Sequence, residues 1–106
     1  MAKIKVGVVQ QSCCEDREAN IAKSIERIRE AVRRGAELVV LQELHTGVYF
    51  CQTESDRRFD QAETIPGPTT ERFAAVAKEL GVVLVLSIFE KRAAGLYHNT
   101  AVVLEK

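Results

Sequence analysis

The chain has 106 residues, 46% hydrophobic and 28% charged, and its fifteen basic and fifteen acidic side chains cancel. That length fits one domain with one modest core, and that composition excludes a disordered chain. Without a net positive field, a general nucleic-acid binder or a polybasic membrane contact is not expected either.

Cys13, Cys14 and Cys51 are too few and too irregular for a disulfide framework and form no C-x-x-C pair, so no structural metal is expected. Gly7, Gly47 and Gly67 make neither a G-x-G-x-x-G nor a P-loop, and no nucleotide cofactor is expected. The first ten residues do not read as a signal peptide, and Leu80 to Phe89, the longest apolar stretch, is too short to span a bilayer as a helix. The expected location is cytoplasmic.

In chain order, the β-branched run Ile4 to Gln10 predicts a strand. Glu15, Asp16 and Glu18 favour a helix start, Ile21, Ile25, Ile28 and Val32 form one apolar stripe, and Gly35 offers a left-handed stop. Leu38 to Leu41 has no polar alternation and predicts a strand covered on both faces. Gln42 to Gln61 is a long polar-aromatic connection. Pro68 suits the first position of a second helix, whose stripe is Phe73, Val76, Ala77 and Leu80 and whose end is Gly81. Val82 to Phe89 predicts another buried strand, Ala93-Ala94-Gly95 a turn, and His98 to Leu104 a fourth strand antiparallel to the third. The order β-α-β-α-β-β indicates an α/β layered sheet.

In such sheets ligands collect beyond the carboxyl ends of the strands. The richest segment there is Gln42-Glu43-Leu44-His45, followed by Gly47, Tyr49, Phe50 and Cys51. A carboxylate at the lip of an apolar sheet loses hydration, which suits Glu43 to general-base work; the plainer alternative is that it only ends a strand or caps a neighbouring backbone amide. Cys51 could be a nucleophile with Glu43 or His45 as its base, or a small buried hydrophobe. Cys13 and Cys14 read as loop packing. His45 and His98 read as hydrogen-bonded loop or strand-end residues, and Asn99 as satisfying buried backbone groups.

The chain also resembles the N-terminal part of the nitrilase superfamily of carbon-nitrogen hydrolases. The resemblance rests on Val6-Gly7-Val8-Val9-Gln10, the run Gly35 to Leu44, Pro66-Gly67-Pro68-Thr69-Thr70, Ala77 to Val82, and His98-Asn99-Thr100-Ala101. Leu41-Gln42-Glu43-Leu44 followed by Gly47 to Gln52 is most similar to the N-carbamoylputrescine amidohydrolase branch. The resemblance implies one part of an α-β-β-α sandwich and a Cys-Glu-Lys catalytic group whose glutamate is Glu43, with Tyr49 bordering the substrate. The family's lysine and nucleophilic cysteine fall beyond the last strand here; Lys106 comes too early, and Cys13, Cys14 and Cys51 are not at the nucleophile position.

The expectation is therefore a truncated carbon-nitrogen hydrolase domain over residues 1–106, inactive alone. The complete enzyme would act on a small N-carbamoyl amine or amide and form a homo-oligomer. Diamine recognition would draw on acidic residues such as Glu54, Asp56 and Asp60, whose plainer reading is solvated loop charge. The alternative is a non-catalytic α/β module that self-associates or binds a full-length relative through an uncovered sheet.

Overall fold

The computed structural model describes residues 2–49 and 56–106. The described residues form β1 (Val6–Val9), α1 (Arg17–Arg33), β2 (Leu38–Leu41), a short 3-10 helix (Asp56–Gln61), α2 (Pro68–Leu80), β3 (Val83–Ala93) and β4 (Leu96–Leu104). They make one sheet in the order β1-β2-β3-β4, with the first two pairings parallel and the last antiparallel. This is the expected α/β order.

Each helix starts and stops for a local reason. Asp16 caps α1 by accepting the Ala19 N–H at 3.3 Å. Gly35 follows the last turn at φ +96°, a conformation that would strain a residue with a Cβ, and lets the next amide, from Ala36, reach back to the Ala31 carbonyl. At its exposed end, α1 carries Glu30 between the guanidinium groups of Arg33 and Arg34, which hold its carboxyl below the usual range.

The start of α2 is built differently. Pro68 is its first residue, and Gly67 at the cap has no side chain to accept a helix N–H. A Cβ at Gly67 would lie 2.3 Å from the Thr64 carbonyl oxygen, so the tight approach of the preceding turn excludes one. The capping is done from outside the helix by Glu63, which accepts the Thr69 N–H at 3.2 Å and the Thr69 hydroxyl at 2.9 Å. Arg17 of α1 holds the same carboxylate at 3.4 Å.

Both helices lie on one face of the sheet. Their stripes, Ile21 and Ile28 from α1 and Phe73, Val76 and Ala77 from α2, close over Val9, Val39, Leu41, Leu84, Leu86 and Ile88. The alternate residues of the strands point the other way. In register across the sheet, Val8 stands beside Val40, Val40 beside Val85, and Val85 beside Val103. Val8 is 77% exposed and Val103 63%. Among the described residues, the expectation that the central strands are covered on both faces is thus met on one face, because both crossovers put their helix on the same side.

The hairpin is longer than its apolar pattern suggests. β3 runs on to Ala93 and β4 begins at Leu96, because the ladder continues through the exposed residues Lys91 to Ala93 after burial has ended.

Candidate functional site

Glu43 lies two residues past the end of β2, at the carboxyl rim of the two parallel pairings, where a ligand would be expected. Its Oε2 accepts a hydrogen bond from Asn99 Nδ2 at 2.8 Å. Asn99 belongs to β4, and its Oδ1 accepts from the Ser87 hydroxyl of β3 at 3.1 Å. Ser87 Oγ in turn accepts the backbone N–H of Leu44 at 2.9 Å. The relay leaves the amide next to Glu43, crosses two strands and returns to the Glu43 carboxylate.

Leu44 completes this arrangement. It is buried and has φ +53°, a left-handed conformation that costs a residue with a Cβ about 1–2 kcal/mol. On either side of it the side chains diverge. Glu43 meets Asn99, on the face away from the helices. His45 is enclosed on the helical face, with Nδ1 3.3 Å from the Ser24 hydroxyl and its ring edge-on to Phe73 at 5.2 Å.

His45 is fully buried, and burial lowers its pKa from 6.5 to about 4. Its ring faces the core rather than Glu43, and an imidazole that takes up a proton only near pH 4 is a poor base for a thiol. This agrees with its reading as a hydrogen-bonded loop residue. Glu43 itself is exposed, which departs from the expected poorly hydrated carboxylate. The physical reason is that no second layer covers the open sheet face among the described residues.

The other sequence candidates disperse. Tyr49 follows on the same loop and is 45% exposed. Phe50, Cys51 and Glu54 lie outside the described residues. Cys13 packs in its loop, its thiol donating to the His45 carbonyl at 3.2 Å, and Cys14 is exposed with its sulfur 3.5 Å from Asn20 Oδ1. His98 is exposed on β4, opposite Glu90 in the ladder. Asp56 opens the 3-10 helix. Asp60 lines a cavity together with Glu15, Arg17, Glu63 and Phe89.

Asn99 needs a correction: its side chain is exposed and serves Glu43 and Ser87 rather than buried backbone groups. Ser87 is a further member of the site that no motif marks. Its signal was there, as the one hydroxyl in the apolar run Val82 to Phe89. Glu63 also escaped notice, because a lone acid before a turn reads as solvated.

Residues 5–106 match the carbon-nitrogen hydrolase family. An N-carbamoylputrescine amidase of Solanum lycopersicum is 37% identical over 101 residues, covering 94% of this chain and 34% of that protein. A carbon-nitrogen hydrolase from Helicobacter pylori superposes with a TM-score of 0.83 at 42% identity, over 96% of this chain and 35% of that one. Nit3 of Saccharomyces cerevisiae, a nitrilase-superfamily member, superposes with a TM-score of 0.78 at 25% identity, over 96% of this chain and 40% of that one. The chain thus spans about one third of the length of the curated relatives it matches. With the α/β order and the matched span in agreement, this chain belongs to the carbon-nitrogen hydrolase family.

Proposed function

We propose that this segment supplies the general base of a thiol amidohydrolase that cleaves a small N-carbamoyl amine or amide, and that Glu43 is that base. The observation that carries the reading is the 2.8 Å bond from Asn99 to Glu43 at the strand rim, which aims a carboxylate across the open face of the sheet. The likeness to N-carbamoylputrescine amidases supports a ureido substrate. The thiol and the oxyanion-stabilising lysine come, on this reading, from the part of the family's length that these residues do not span.

The chemistry fits a carboxylate held in place. Glu43 takes the thiol proton as sulfur attacks the ureido carbon, and returns it to the departing amine as the C–N bond breaks. It then takes a proton from water, whose oxygen attacks the S-carbamoyl carbon; the C–S bond breaks, the proton goes back to sulfur, and the carbamic acid set free loses carbon dioxide to leave ammonia. The lysine ammonium stabilises the oxyanion in both steps. Tyr49, further along the same loop, borders the substrate.

Ammonia release from N-carbamoylputrescine tests the proposal. The 106-residue chain alone is expected to release none. A polypeptide that joins residues 1–106 to the remaining two thirds of the family's length is expected to turn over, and Glu43→Gln in it to abolish turnover while leaving the fold intact. Near-normal activity of that variant would remove Glu43 from the mechanism, and turnover by the short chain would show that no outside thiol is needed. Tyr49→Ala is expected to raise KM more than it lowers kcat; a change in kcat alone would take Tyr49 away from substrate binding.

A second role, self-association through the valine-lined face, is favoured by the exposure of Val8 and Val103.

A further inference from the structure

We infer that Ser87 and Asn99 form a two-strand clamp that sets the position of the Glu43 carboxylate, and that both are positioning residues for the base; this rests on the reading of Glu43 given above. The two residues come from adjacent strands of the hairpin, offset by two places in the ladder, since Ser87 pairs with Ala101 and Asn99 with Phe89. That diagonal offset puts both side chains on the open face.

The roles within the clamp follow from donor and acceptor chemistry. Ser87 Oγ accepts the Leu44 N–H, so its own proton is free to go to Asn99 Oδ1. With Oδ1 occupied as acceptor, the Asn99 amide is fixed with Nδ2 toward Glu43. This orientation puts the Asn99 donor on Oε2 of Glu43 and so sets where the carboxylate points. The clamp grips the same loop at two consecutive residues, the side chain of Glu43 and the backbone of Leu44. The left-handed Leu44 backbone is the place where that grip is needed, because an unfavourable φ persists only where its surroundings hold it.

A side chain held by one bond on an exposed face has other rotamers open to it. Loss of the Asn99 bond therefore frees the Glu43 carboxylate to swing, whereas loss of the Ser87 hydroxyl frees both the loop and the Asn99 amide. A displaced base is costly in the chemical step, on the order of 10²-fold for about 1 Å, and leaves ground-state binding alone.

Two measurements test this. In the joined polypeptide, Asn99→Ala and Ser87→Ala are expected to lower kcat by about 10²-fold with KM unchanged, and Ser87→Thr, which keeps the hydroxyl, to restore most of the loss. If Glu43→Gln abolishes turnover while Asn99→Ala keeps kcat within about twofold of the parent, the clamp is overturned and the base stands. If Glu43→Gln is active, the base itself fails, and the second measurement still decides the clamp. That measurement is the side-chain amide resonance of Asn99 in the isotopically labelled 106-residue chain. The proton directed at the carboxylate is expected downfield, moving upfield in Glu43→Gln and in Ser87→Ala. An Asn99 amide signal indifferent to both substitutions overturns the clamp whatever the kinetics show.

Discussion

His45 sits two residues from the proposed base, yet its chemistry is that of the core. Ser24 Oγ accepts from Gln11 Nε2 at 3.0 Å, so its proton points to His45 Nδ1 and the ring proton lies on Nε2, which has no hydrogen-bond partner among the described residues. Charging this ring means placing a cation between Phe73 and Ser24. The folded protein binds that proton only near pH 4, whereas the unfolded chain binds it near 6.5. Between those values the unfolded state holds more protons, so the contribution of His45 to stability is complete above pH 6.5 and is lost as pH falls through about 4. The difference amounts to about 3 kcal/mol. Urea unfolding of the parent and of His45→Leu at pH 7 and at pH 4.5 measures it: the gap between the two proteins should shift in favour of the variant at the lower pH. Equal pH dependence of the two would mean that the ring is not excluded from water in solution.

At the scale of elements, α2 depends on a residue outside itself. Its cap position is a glycine, and the carboxylate that takes the Thr69 N–H comes from Glu63, whose side chain is 9% exposed. Glu63→Ala strands a helix N–H, the Thr69 hydroxyl and one face of Arg17, and should destabilise the fold by about 1–2 kcal/mol. Glu71→Ala, on the exposed face of the same helix, should fall within about 0.5 kcal/mol of the parent. Chemical denaturation of the two variants decides it; equal effects would show that Glu63 acts only as a surface charge. The same contrast explains what the sequence reveals. Ile21, Ile25, Ile28 and Val32, or Phe73, Val76, Ala77 and Leu80, announce a helix because burial repeats with the helical turn. The place of Glu43 at the strand rim was legible from the apolar strand before it. Ser87, Asn99 and Glu63 were not legible as partners, since each bond joins residues from different elements and no local periodicity records it. The 3-10 helix over Asp56–Gln61 was hidden for a related reason: Asp-Arg-Arg-Phe-Asp-Gln has no apolar repeat.

For the molecule as a whole, the sheet is apolar on both faces and helices cover one. The row from Val8 through Val40 and Val85 to Val103 runs from edge to edge on the other face. Each exposed valine would contribute on the order of 1–2 kcal/mol if buried, and contiguous apolar surface of this kind marks a place where another surface packs. The same face carries Glu43, so a layer placed on it would also remove water from the carboxylate that is exposed here. The 106-residue chain by itself is therefore expected to associate through this face. Sedimentation at low micromolar concentration should give a defined species larger than a monomer. The double substitution Val8→Lys with Val103→Lys places a charge at each end of the row, at positions already exposed, and should yield a monomer with unchanged helix content by circular dichroism. A parent chain that sediments as a compact monomer would show that the valine row is not an association surface. A double variant that associates as before would place the contact on another surface, such as the outer sides of α1 and α2.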